Sequence, residues 1–220
     1  MPSPAEGPET APPAGRRNQR LSSDARRAEL IEATLAIIAD EGLRAATLRN
    51  VAERAGVSNG LIRHHFLGKR QLILDAYAAT VARMTAPGLA ALAQTGLTPR
   101  RRLAGFVRAS LDPSLIEPRL FSTWAAFVAL VHVDADFEAI HRTGYRDYQA
   151  LFEPLVAAVL AEAGRKNAAE AAPGLAMQLN ALIDGLWIEA NLLARDFSEG
   201  ALITLALDGV ARILNIEWED

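Results

Sequence analysis

No cysteine occurs among the 220 residues. That excludes a disulfide framework, thiolate metal sites and a thiol nucleophile, and it fits a reducing, cytoplasmic setting. No run of 18 apolar residues exists, so no membrane span is expected. The N-terminus lacks the apolar core of a secretion signal. Strand-type alternation and internal repeats of 20–50 residues are also missing. So are a Gly-rich phosphate loop, G-x-S-x-G and H-E-x-x-H, and nothing sets a base beside a nucleophile. An enzyme is therefore not expected, nor a cofactor. Aromatic residues make up only 6% of the chain, so each is a candidate for core or site.

What is present is helix-forming. Half of the residues are hydrophobic, enough for a real core, and Leu, Ala and Arg are abundant. Residues 1–15 carry five prolines and almost no large apolar group, which predicts disorder. Arg16, Arg17 and Arg20 follow, then Arg26 and Arg27 at the start of the first helix. We read residues 1–22 as a basic arm, which reaches phosphates or the minor groove, or only solubilises the chain.

The net charge of −3 is unevenly spread. Residues 1–70 hold 11 Lys/Arg against 8 Asp/Glu, and residues 71–220 hold 12 against 18. A basic head on an acidic body suits a protein that meets a phosphate backbone with one end.

Periodicity and punctuation predict helices over 23–40, 48–55, 59–66 and 69–93, with Pro87-Gly88 bending or breaking the last. Longer apolar helices follow over 99–111, 118–132, 135–163, 168–195 and 198–215, with Pro154 kinking the third of these. The result is an all-α chain: a three-helix head over 23–68 and a larger helical body over 69–220.

The most informative stretch is TLRNVAERAGVSNGLIRHHFLGK, residues 47–69. It reads as a short helix, a tight turn and a second short helix. Val51, Ala52, Val57, Ile62 and Phe66 form the inner seam. Gly56 sits where the first helix must end with positive φ, and Thr47 and Ser58 sit at the two N-caps. That is the build of a helix-turn-helix, whose second helix enters the DNA major groove. Asn59 and Arg63, four apart, would face the groove, with Arg63 donating to guanine and Asn59 to adenine. Leu61 would touch a thymine methyl, and Gly60 would let the backbone approach a phosphate. Thr47 and Ser58 offer hydroxyls and helix N-termini to phosphates, and Lys69 offers a point charge. His64 and His65 would rim these contacts.

Residues 24–75 resemble the DNA-binding region of TetR-family transcriptional regulators. The resemblance rests on Thr47, Val51-Ala52, Ala55-Gly56-Val57-Ser58, Gly60, Phe66 and Lys69. Family members usually carry a tyrosine just before or within the His-Phe pair, where this chain has Arg63-His64-His65-Phe66. In the body, FSTWAAFVAL (121–130) and LNALIDGLWIEANL (179–192) resemble the choline-responsive BetI-type branch. The resemblance implies a homodimeric repressor that leaves a palindromic double-stranded operator when a small-molecule effector binds the body. It implies a dimer built on a four-helix bundle, which we assign to the helices around 148–163 and 175–193. Leu151, Leu155 and Val159 on one, with Leu175, Leu179, Leu182 and Leu186 on the other, either form that bundle or the monomer's own core.

Candidate effector-pocket residues are Phe121, Trp124, Phe127, His132, Tyr145, Tyr148, Asn180, Asp184 and Trp187, with Phe137 and Glu189 nearby. Aromatic faces beside a carboxylate suit a quaternary ammonium such as choline. The run His132, Asp134, Asp136, Glu138 and His141 reads as a loop and an acidic first helical turn, which suits the helix dipole better than a metal. A ligand-independent activator or broad DNA binder is the alternative function.

Overall fold

The computed structural model describes residues 23–193, 197 and 200–218. The basic arm over 1–22 lies outside them. Among the described residues the chain is helical throughout: α1 (Ser23–Glu41), α2 (Leu48–Arg54), α3 (Asn59–His65), α4 (Lys69–Leu92), α5 (Pro99–Ser110), α6 (Pro118–Val128), α7 (Ala135–Glu162), α8 (Ala168–Leu192) and α9 (Ala201–Leu214). Short 3-10 turns at Leu43–Ala45 and Pro113–Leu115 join α1 to α2 and α5 to α6.

Local chemistry accounts for the boundaries. Thr47 accepts a hydrogen bond from the Asn50 amide at 3.1 Å, and Ser58 from the Leu61 amide at 3.3 Å, so both caps satisfy amides the helices leave unpaired. Gly56 closes α2 at φ 64°, a region costly for any residue with a Cβ. Thr98 caps α5, whose first residue is Pro99.

Two features of the helices differ most from those expected. α6 stops at Val128 rather than 132. The next amides bond three residues back, Leu130 to Phe127 and Val131 to Val128, which tightens the chain into turns before Asp134 caps α7. Pro87 does not break α4, which runs unbroken to Leu92. Buried residues flank the proline on both sides, Ala76, Tyr77 and Thr80 before it and Gly88, Ala91 and Leu92 after it. That packing outweighs one lost backbone hydrogen bond.

Two apolar clusters organise the molecule. One gathers Leu30, Ile37 and Ile38 of α1 with Val51, Ala52, Ile62 and Phe66 of the helix-turn-helix. It continues into α4 through Leu72, Ile73, Ala76 and Tyr77, and takes in Phe127, Val131 and Phe137 from the end of α6 and the start of α7. The head's core thus crosses residue 69. The second cluster is the body, built on α5, α7, α8 and α9.

The residues expected on that bundle divide: Leu151 is exposed and Leu175, Leu182 and Leu186 are half-buried, while others belong to the protomer's own core. Leu155, Val159 and Leu179 are buried within the single chain. Exposed large apolar groups on the body helices include Leu151 of α7 (50% exposed), Met177 and Leu192 of α8 (58% and 62%) and Leu205 of α9 (52%).

Candidate functional site

The head presents α3 outward. Ser58, Asn59, Gly60, Arg63 and His64 are exposed, while Ile62 beneath them has no exposed surface. Thr47, Leu61 and His65 are half-buried and Lys69 is exposed. The predicted face is therefore contiguous along one helix and the turn after it. Leu67, in that turn, is 99% exposed and was not anticipated. No periodicity argument applies to a lone turn residue, so its exposure was illegible.

Arg27 is held within the head. One guanidinium nitrogen donates to the His65 carbonyl at 2.6 Å, another pairs with Asp75 of α4, and the guanidinium lies 4.4 Å from the centre of the Phe66 ring. Arg27 thus clamps the end of α3 to α1 and α4. Arg26 is likewise paired, with Glu29 at 2.6 Å. Asp40, at the end of α1, takes Arg54 at 2.9 Å and Arg119 at 2.8 Å, which links α2 and the body's α6 to α1.

In the body, a cavity of about 260 Å³ opens between α4, α7 and α8. Trp124, Tyr145, Tyr148, Asn180, Asp184 and Trp187 line it. Trp124 and Trp187 meet edge to face with ring centres 5.2 Å apart. The Trp187 indole N–H donates to the Leu115 carbonyl at 2.8 Å, so its polar edge is satisfied away from any ligand. Asn180 donates to Asp184 at 2.8 Å. Asp184 is exposed on the cavity wall, yet the surrounding side chains desolvate its carboxylate and push it above the usual carboxylate range; Asn180 offsets this in part. Burial also raises the Tyr148 phenol, which stays neutral. No Lys or Arg lines the cavity among the described residues.

Three expected pocket residues lie elsewhere. Phe127 is fully buried in the head-side cluster, with its ring centre 5.1 Å from that of Tyr77, because the α6 face that carries it turns toward α4. His132 sits exposed in the turns after α6. Phe121 stands behind the wall, its ring centre 5.4 Å from Trp187 and 6.0 Å from Trp124. Phe137 belongs to the head-side cluster as well, and Glu189 is exposed outside the cavity lining.

The structure adds His141, Gly144, Ser110, Val81, Met84 and Thr85 to the lining. His141 had been read only within its acidic run. That run is spent on pairing: Asp134 and Asp136 on Arg70, Glu138 on Arg142, and His141 on Tyr77.

Comparison with known proteins places this arrangement. Residues 30–76 match the family described as bacterial regulatory proteins, tetR family, and residues 99–215 match the BetI-type transcriptional repressor C-terminal family. The chain belongs to the TetR family, with a BetI-type body. This regulator is 35% identical to the HTH-type transcriptional regulator BetI of Paraburkholderia phymatum, over 87% of this chain and 94% of the relative. It is 34% identical to the protein of the same name in Burkholderia mallei, over 86% and 93%. A solved transcriptional regulator of Pseudomonas aeruginosa PAO1 superposes with a TM-score of 0.79 at 33% identity, covering 91% of this chain and 95% of its own. A regulator from Saccharomonospora viridis solved with choline shares the fold, with a TM-score of 0.64 at 22% identity over 88% and 96%. The regulator is thus a DNA-binding transcriptional repressor by family, not an enzyme. None of its described helices is long and apolar enough to cross a membrane.

Proposed function

We propose that two copies of this repressor hold an inverted-repeat operator in the cytoplasm and release it when a small organic cation fills the body cavity. Residues 23–68 serve as the DNA-binding head, and residues 69–220 as the effector-binding and dimerisation body. Arg63 and Asn59 read base edges, with Leu61 against a thymine methyl. Thr47, Ser58, Gly60, His64, His65 and Lys69 hold the phosphate backbone.

The observation that carries the effector reading is the cavity's composition. Two tryptophans and two tyrosines surround one carboxylate, with no Lys or Arg on the wall among the described residues. Such a box attracts a quaternary ammonium through ring faces and the Asp184 charge. Its volume lies just below the roughly 300–1,000 Å³ of typical ligand pockets, which favours a small ligand. The choline held by the Saccharomonospora viridis regulator makes choline the first candidate.

The dimer is assigned to α8 and α9. Met177, Ala181 and Gly185 recur at helical spacing on an exposed face of α8, continued by Leu192, with Leu205 exposed on α9.

Genomic DNA retained by the purified protein identifies the operator. Choline chloride is then titrated into the complex. A short inverted repeat that choline releases, with release blunted about tenfold in Asp184→Asn, is the expected result. Scattered retention sinks the operator reading and favours a broad DNA binder. Release insensitive to choline sinks the effector reading.

A further inference from the structure

α4 and α7 pack along each other in one constant register. Arg70 of α4 pairs with Asp134 at 2.8 and 2.9 Å and with Asp136 at 2.6 Å. One heptad on, the Tyr77 hydroxyl shares a hydrogen bond with His141 Nδ1 at 3.0 Å. Both pairs, 70 with 134 and 77 with 141, are offset by 64 residues. The helices therefore run in the same direction, with layers two turns or about 10.5 Å apart. One turn further Val81 faces Gly144, and beyond it Met84 and Tyr148 both face the cavity.

The seam thus starts beside Lys69, passes through the head's own core and ends in the cavity wall. Its parts differ in strength. The Arg70 pair is well exposed and screened by solvent, so it contributes little by itself. The Tyr77 ring has no exposed surface and lies against Phe127 and Phe137, so its hydroxyl depends on His141. His141 is both in the seam and on the cavity wall. At the third layer the Val81 side chain packs so close to Gly144 that a Cβ there would stand 2.7 Å from Val81 Cγ1. Ordinary carbon contacts are about 3.5–4.0 Å, so an added methyl there must displace the Val81 side chain; a β-branched side chain in a helix keeps one strongly preferred χ1, which passes the displacement on to the two helices.

We propose that the closed α4–α7 seam sets the position of the head, and that Gly144 is the positioning residue that lets it close. Opening the seam at Val81–Gly144, from inside the cavity or by substitution, breaks the Tyr77–His141 hydrogen bond and tilts α4 with the recognition helix it carries. This rests on the reading that the head binds operator DNA, and not on which molecule fills the cavity.

The test needs no ligand. Gly144→Ala, assayed on the operator fragment retained from genomic DNA, should bind about tenfold more weakly or worse. Val81→Ala added to Gly144→Ala removes the methyl that the new Cβ meets, and should restore most of the affinity. Circular dichroism and sedimentation confirm that both variants are folded and associate as the wild type does. Gly144→Ala binding as tightly as the wild type overturns the proposal, and so does a loss that Val81→Ala does not reverse. If Gly144→Ala is not recovered folded, Tyr77→Phe decides. An affinity loss of about three- to tenfold supports the seam, and unchanged affinity overturns it. Choline failing to release operator from the wild type would sink the effector reading alone and leave these outcomes intact.

Discussion

At the scale of single residues, we propose that Arg63 and Lys69 divide the labour of DNA binding. Arg63 is exposed in the middle of α3, where a guanidinium can donate twice to one guanine. Lys69 is exposed at the first turn of α4, where an ammonium can only supply charge. Arg63→Ala should therefore cost about 1–3 kcal/mol on the operator and relax preference at one base pair. Lys69→Ala should weaken all sequences alike and reduce the salt slope by about 1. Affinities measured on operator and scrambled DNA at several salt concentrations separate the two. An Arg63→Ala protein that still ranks operator variants as the wild type does would remove Arg63 from the reading face.

Tyr77 makes a second residue-scale prediction. Burial pushes its phenol up to about 12 from the usual 10.0, because the ring sits where a phenolate would have no solvent. The folded state thus resists deprotonation more than the unfolded chain does. This stabilisation is fully present below pH 10 and is lost as pH rises from 10 toward 12. Tyr77→Phe has no such proton to lose. Its melting temperature should fall less steeply between pH 10 and 12 than that of the wild type, by a term on the order of 2 kcal/mol. Tyr148 is shifted in the same direction and remains in both proteins, so the difference between the two curves isolates Tyr77.

At the scale of elements, caps and turns explain what could be read in advance. Thr47, Gly56 and Ser58 each act through neighbours three to five residues away, so the helix-turn-helix was legible from one stretch of chain. The cavity was only half legible. Trp124, Tyr148, Asp184 and Trp187 could be picked out as aromatic and acidic groups on helices, but the choice between pocket and core depends on which way each helix is rotated. Phe127 shows this: it lies three residues from Trp124, yet it faces Tyr77 and not the cavity. On α7, Tyr145 and Tyr148 were expected on the wall, but Gly144 and His141 were missed, because Gly144 has no side chain to notice and His141 was grouped with its sequence neighbours. The seven-residue spacings Arg70–Tyr77–Met84 and Asp134–His141–Tyr148 were the available signal, since paired heptads mark a helix seam. The role of Arg27 was not legible for a related reason. A cation near a basic arm suggests phosphate, whereas its partners His65, Phe66 and Asp75 lie 38 residues or more along the chain.

At the scale of the whole molecule, one head is too small to select an operator, so in the proposed dimer specificity depends on how two heads are spaced. Helix-turn-helix dimers place recognition helices about 34–36 Å apart or at multiples of that spacing. The distance is set where the bodies meet, and in this chain Leu155, Val159 and Leu179 are already spent on the protomer's core. On α8 and α9, by contrast, Met177, Leu192 and Leu205 are more than half exposed. Replacing Met177 and Leu205 with glutamate adds two charges to each half of a two-fold interface, four in all, and removes its apolar centre. Neither side chain supports the protomer core, so the variant should melt as a folded protein yet sediment as a monomer. Its affinity for a single half-site should match that of the wild type, because α3 is untouched. Its affinity for the full inverted repeat should drop by about 10²-fold or more, because the second head no longer binds at high effective concentration. A double variant that stays dimeric in sedimentation would move the interface off α8 and α9. A monomer that held the full repeat as tightly as the wild type would show that the repeat is not read by paired heads at all.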